Sequence, residues 1–152
     1  TYIRDFVNKY RERGDRVELR IISARYGLID EDTPIIPYEC TFQGLGKNKI
    51  RERGEKLRVY VNVVEFLDKN EFDQSVVILG RDYLLTIFDQ KVGKDFFGHM
   101  KTKDLVVFAA KDSSFKTSFV KRDVTFVPVR GIGDRNGKLK RFAESLAATS
   151  TQ

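Results

Sequence analysis

Four short turns in this chain carry side chains that could grip an anion or move a proton. Ser23-Ala24-Arg25-Tyr26-Gly27 follows one apolar run and Gly80-Arg81-Asp82-Tyr83 follows a second. Ala110-Lys111-Asp112-Ser113-Ser114 follows a third, and Arg130-Gly131-Ile132-Gly133-Asp134-Arg135 a fourth. Each turn sets a basic residue within two positions of the end of its run, and three set an aspartate close behind. Guanidinium and ammonium groups suit phosphate oxygens, so Arg25, Arg81, Lys111 and Arg130 are candidate anion ligands. A carboxylate beside them could activate water or stabilise developing positive charge, which makes Asp30, Asp82, Asp112 and Asp134 the candidate catalytic residues. Taken singly, Asp82 and Asp112 read better as helix N-caps with solvated basic neighbours. Taken together, four cations on one rim repel one another unless an anion or the aspartates compensate them, and anion binding is then the better reading.

The glycines and tyrosines of these turns add detail. Gly131-Ile132-Gly133 before a helix could bring amide N–H groups close to a phosphate, although G-x-G alone is equally a structural turn. Gly27 and Gly80 close their strands, and Ser23 and Tyr26 lie in the first turn. Tyr26, between Arg25 and Gly27, could stack on a nucleobase; Tyr38 after Pro37 reads rather as packing for the Pro34–Pro37 loop, with base contact as the alternative. Asp30, Glu31 and Asp32 could meet a ribose hydroxyl, polarise a water or cap a turn. A second basic feature is the segment from Lys47, where Lys47, Lys49, Arg51, Arg53, Lys56 and Arg58 oppose an apolar stripe of Ile50, Leu57, Val61 and Val64. This is a candidate nucleic-acid surface, and Gly54 on the stripe marks a close approach by another backbone. His99 is the only histidine and Cys40 the only cysteine, so neither a transition-metal site nor any cofactor is expected.

The elements that must position these turns follow from periodicity. Tyr2 to Tyr10 repeats at helical spacing and Gly14 ends it. Val17–Ser23, Ser75–Gly80, Asp104–Ala110 and Val124–Val129 read as four strands, with Pro128 placing the last at an edge. Residues 24–46 read as an ordered loop, and Lys47–Asp68 as one helix. A short helix is expected over Asp82–Asp89, and Gln90–Lys103 is left open between a lid, a hairpin and a frayed helix. A helical segment follows over Ser113–Val120 with Phe115 and Phe119 one turn apart, then a closing helix over Gly137–Ala147 and a frayed tail over 149–152. Strands alternating with helices imply βαβ units with right-handed crossovers. The expected fold is an α/β three-layer sandwich whose mainly parallel, four-stranded or slightly larger sheet is flanked by helices. In such sheets ligands bind beyond the carboxyl ends of the strands, where the four turns would meet.

Composition sets outer bounds. The 152 residues fit one domain with its own core, 1–152. Hydrophobic content of 41% with 33% charged residues fits a soluble globular chain. A net charge of +6 favours anionic partners such as nucleotides or nucleic acid. No apolar run approaches the roughly 20 residues that span a bilayer, so no membrane partner is expected. The single cysteine, with no secretory leader, points to a reducing, cytoplasmic setting.

Ser23-Ala24-x-Tyr26-Gly27-Leu28, followed by Ile35-x-Pro37-Tyr38 and Thr41, resembles the hallmark of a family known as DUF6884. A related pattern occurs in the peroxide-stress family YaaA, and a more distant one in the uracil-DNA-glycosylase-like domain of archaeosine synthase. The sharp motif covers residues 23–41, and the Gly80 and Gly131–Gly133 turns fit the same arrangement. The resemblance implies a uracil-DNA-glycosylase-like α/β fold and a role near nucleobases, nucleotides or modified nucleic acid. Such proteins begin with a strand carrying a Cys-Ser-Lys-like turn. This chain begins with the Tyr2–Arg13 helix, which implies that the strand is trimmed away or absent. Two readings compete: an enzyme acting on a nucleotide or base at an N-glycosidic bond or in nucleic-acid modification, and a non-catalytic nucleic-acid-binding module that uses the basic helix and the rim.

Overall fold

The computed structural model describes residues 2–33, 41–110 and 123–150. Helix α1 spans Tyr2–Glu12, and strands β1 (Arg20–Ser23) and β2 (Gly27–Asp30) follow it. Next come helices α2 (Lys47–Lys56) and α3 (Val59–Asp68), strand β3 (Phe72–Ile78) and helix α4 (Arg81–Leu85). Two-residue strands β4 (Phe88–Asp89) and β5 (Lys94–Asp95) then pair as a small hairpin. Strands β6 (Thr102–Ala110) and β7 (Thr125–Val129) and helix α5 (Ile132–Ser150) complete the described chain.

Strands β3, β6 and β7 form a parallel sheet in that order, with β6 at its centre. Leu105 to Ala109 of β6 are all buried, as a run with both faces covered must be. Val106 and Phe108 face one side and pack with Phe6 of α1 and Leu139 and Ala143 of α5. Leu105, Val107 and Ala109 face the other, against Val59, Val63 and Leu67 of α3, Leu84 of α4, and Phe88, Phe96 and Phe97. Helices therefore flank a three-stranded parallel sheet, and the chain is mixed α/β. Pro128 lies opposite Ala109 on the outer strand β7, where its missing N–H costs no ladder bond.

Several expected elements take a different form. The first expected strand is not part of the parallel sheet; β1 pairs antiparallel with β2, from Arg20↔Asp30 to Ser23↔Gly27. The reason lies in Gly27, whose φ of 78° suits the glycine backbone. A Cβ at Gly27 would also meet the Leu57 carbonyl oxygen at 2.9 Å, so the turn closes and Leu28 and Ile29 return as a strand rather than a loop. The helix expected over Lys47–Asp68 is two helices, broken at Arg58, which adopts the left-handed conformation with φ 56°. The break shifts the apolar register. Val59, Val63 and Leu67 are buried, whereas Val61 is 46% exposed. The Gln90–Lys103 segment resolves into the β4–β5 hairpin and two 3₁₀ turns, Gln90–Val92 and Phe96–His99. Asp89 and Asp95 cap these turns by accepting from the N–H of Lys91 and Phe97 respectively. Helix α5 starts at Ile132, five residues before Gly137, so Gly133 and Gly137 are helical. The Pro34–Pro37 loop with Tyr38, and the Ser113–Val120 segment, lie outside the described residues.

Candidate functional site

Among the described residues, the carboxyl edge of the parallel sheet carries two of the four expected basic turns. Arg81 opens α4 just beyond β3, and Arg130 follows β7; both are exposed. With β6 between them, the ends of β3 and β7 stand roughly 10 Å apart, two strand spacings. Lys111 and Asp112 follow β6 directly in sequence but lie outside the described residues. Arg25 arrives from the β1–β2 turn rather than from a parallel strand. Ala24 belongs to a small apolar cluster with Phe42 and Ile50, onto which Tyr83 and Leu85 of α4 pack, so this turn lies beside α4.

Most polar groups of this rim already serve the local fold. Ser23 Oγ accepts from the N–H of Arg25 at 3.2 Å and of Tyr26 at 3.1 Å, which shapes the hairpin turn. The Arg25 guanidinium lies 5.2 Å from the centre of the Tyr26 ring. Asp30 accepts from Thr33 Oγ1 at 2.9 Å and from the N–H of Asp32 at 3.0 Å. These bonds hold its carboxyl below the usual carboxylate range. Asp30 therefore caps a turn, the plainest of its three expected roles, and Glu31 pairs with Arg11 of α1. Asp134 accepts from the N–H of Arg130 at 2.9 Å and from Lys138 Nζ at 3.0 Å, and these donors lower its pKa. It clasps the end of β7 to the first turn of α5. Asp82 is half-buried in the first turn of α4, but the N-cap there is Gly80. The capping role expected of Asp82 is not the one it fills.

Helix α2 disposes of its cations in a different way. At 3.6 residues per turn Lys47 and Arg51 share one side, while Lys49, Arg53 and Lys56 fall on another, so the basic residues are not one uniform stripe. Arg51 turns inward. Its Nε lies 2.6 Å from Asp89 Oδ2 and its Nη2 3.3 Å from Oδ1, while Nη1 donates to Asn48 Oδ1 at 3.2 Å. The Asp89 side chain is only 4% exposed. Burial pushes its pKa up, but the Arg51 hydrogen bonds and charge, the Lys91 N–H and the Lys94 charge outweigh it, and the net displacement is downward. Asp89 has no signature in the sequence, because nothing in Phe-Asp-Gln distinguishes a buried carboxylate from a turn residue.

Beside this ion pair runs an open groove of about 440 Å³, lined by Gly44–Lys49, Arg51 and Lys91. Lys47, Lys49 and Lys91 are exposed along it. The α2 N-terminus borders the groove with Gly46 as its N-cap, no side-chain cap and no acid in its first turn. Its first backbone N–H groups and the positive end of the helix dipole add to the lysine charge. Among the described residues no aromatic ring lines the groove, and those residues offer it charge and N–H donors. Lys94, on the same hairpin, is paired with Glu55 and lies 5.8 Å from the Tyr60 ring centre.

Among the described residues no group of three or more histidine, cysteine, aspartate or glutamate side chains could hold a metal ion. No described helix is long and apolar enough to cross a membrane. No protein-family model, curated protein or solved structure matches this chain.

Proposed function

We propose that this chain is a non-catalytic nucleic-acid-binding module that holds the sugar–phosphate backbone in the α2 groove, with the sheet rim as a secondary contact. One observation carries the reading: Lys47, Lys49 and Arg51 from α2 and Lys91 from the β4–β5 hairpin converge on a single groove. Cations brought together from two separate elements fit a run of phosphates better than a single small anion. The described lining, lysines, Arg51 and the helix N–H groups without a ring, favours backbone contact over base reading. The resemblance of residues 23–41 to DUF6884, and through it to the uracil-DNA-glycosylase class, favours nucleic acid over other polyanions. Catalysis at an N-glycosidic bond would need a carboxylate free to face the reacting sugar. Asp30 and Asp134, two of the four candidate carboxylates, are engaged in turns instead, which takes support from the enzyme reading.

The test is fluorescence anisotropy of labelled single-stranded and duplex 20-mers over a salt series. Replacing Lys47, Lys49 and Lys91 together by alanine is expected to lower affinity roughly 10- to 100-fold at low salt. The slope of log affinity against log salt should fall by about two. Arg81→Ala with Arg130→Ala is expected to cost about threefold or less. A triple-lysine variant that binds like the parent protein would end the proposal.

A further inference from the structure

We propose that Asp89, an acidic residue, positions the groove for its anionic ligand. The inference rests on the reading of the α2 groove as a phosphate-binding surface and extends it to a residue that does not line the groove. Asp89 lies where two walls meet. One oxygen takes Arg51 Nε at 2.6 Å; the other takes Arg51 Nη2 at 3.3 Å and the Lys91 N–H at 3.2 Å. A single buried carboxylate thus fixes the plane of the α2 guanidinium and the start of the 3₁₀ turn that carries Lys91. A planar fork held along one edge keeps its remaining N–H groups in a set direction. Here Nη1 is steadied by Asn48, itself a lining residue. Thr86 anchors the same corner: its side chain is buried, donates to the Tyr83 carbonyl at 2.6 Å, and packs where α2 narrows at Gly54.

The inference opposes simple electrostatics, which makes it sharp. Asp89→Asn removes a negative charge from beside Lys91 and Lys94, so charge counting alone predicts tighter polyanion binding. Positioning predicts weaker binding, because an amide cannot hold the guanidinium through two charge-assisted bonds. The expected loss is roughly five- to tenfold in 20-mer affinity. A double-mutant cycle isolates the route: in an Arg51→Ala background, Asp89→Asn should cost nothing further. A merely structural role would add its loss in both backgrounds.

Arg51→Lys guards against a poorly folded Asp89 variant. It keeps the charge but loses the fork, and should lose about as much affinity as Asp89→Asn. Unchanged or tighter binding in Asp89→Asn, an equal loss in the Arg51→Ala background, or parental binding by Arg51→Lys would each overturn the inference. The triple-lysine variant separates the two levels of argument. If the lysines matter while Asp89 and Arg51 geometry do not, only the positioning role fails. If the lysines do not matter, the groove itself fails.

Discussion

At the carboxyl edge of the sheet, the carboxylate beside Arg130 binds within its own strand–helix corner. Asp134 takes the Arg130 N–H and, one turn on in α5, the ammonium group of Lys138. At the α2 groove Asp89 takes both the Lys91 N–H and, from another element, the Arg51 guanidinium, while Lys47, Lys49 and Lys91 stay exposed. The two regions hold similar residue types, yet Asp134 ties only sequence neighbours together, whereas Asp89 joins its own turn to a helix residue 38 positions away. Spacing along a chain identifies charge, but whether that charge remains available depends on which hydrogen-bond partner the fold brings to it.

The strongest test of this contrast is stability. Arg51→Ala leaves the buried Asp89 carboxylate with the Lys91 N–H and the nearby Lys94 charge, and a buried charge stripped of its ion-pair partner is among the costlier changes a domain can suffer. The expected drop in thermal midpoint is about 5–10 °C. Arg81→Ala, at an exposed helix start, should move the midpoint by no more than about 2 °C. Differential scanning fluorimetry of both variants decides the matter. Equal shifts would mean that the groove is no more tightly organised than the rim.

The pattern of the sequence explains why one region was easier to foresee than the other. The runs Ser75–Gly80, Asp104–Ala110 and Val124–Val129 announced the parallel sheet, because strands covered on both faces must be apolar throughout. Pro128 announced the edge. The β1–β2 hairpin was hidden because Gly27-Leu-Ile-Asp is short and sits beside the acidic, proline-containing stretch; only the Leu57 carbonyl, thirty residues away, explains why Gly27 must turn there. The α2–α3 break was equally hidden, since Arg58 in a left-handed conformation has no signature in residue type. The basic residues of α2 were visible as charges. Their division into an inward Arg51 and outward lysines was not, because Asp89 is a tertiary partner 38 residues away.

Gly54 gives a smaller and opposite effect that sharpens the picture of α2. Its place on the apolar stripe predicts that another backbone comes close. The nearest atoms to a Cβ there are Thr86 Cγ2 at 3.4 Å and Thr86 Cβ at 3.5 Å, with Thr86 Cα at 3.9 Å. Those are ordinary contacts, and Gly54 carries no positive φ. Alanine in a helix interior gains about 0.5–1 kcal/mol over glycine. Gly54→Ala is therefore expected to raise the unfolding free energy by about that amount while leaving nucleic-acid affinity intact. A loss of stability in urea titration would show that α2 and α4 are packed too tightly to admit a methyl group.

Acid titration probes the rim most gently. The Asp134 carboxyl has its folded-state pKa lowered by the Arg130 N–H and Lys138. A carboxyl with a depressed folded pKa stabilises the fold above its unfolded pKa, and that contribution is lost as pH falls through the folded value. Parent protein and Asp134→Asn should therefore differ most near neutrality and converge in acid, where the aspartate is protonated and its bonds to Arg130 and Lys138 lose their ionic character. The difference should be small, because the side chain is about one-third exposed and solvent screens it. The measurement is the unfolding midpoint of the two proteins from pH 7 downward. A gap that stayed constant with pH would mean that the clasp between β7 and α5 depends on the shape of the residue and not on its charge. In that case the aspartate would remain electrostatically available at the sheet's edge, and the contrast with the Arg51–Asp89 corner would have to be redrawn.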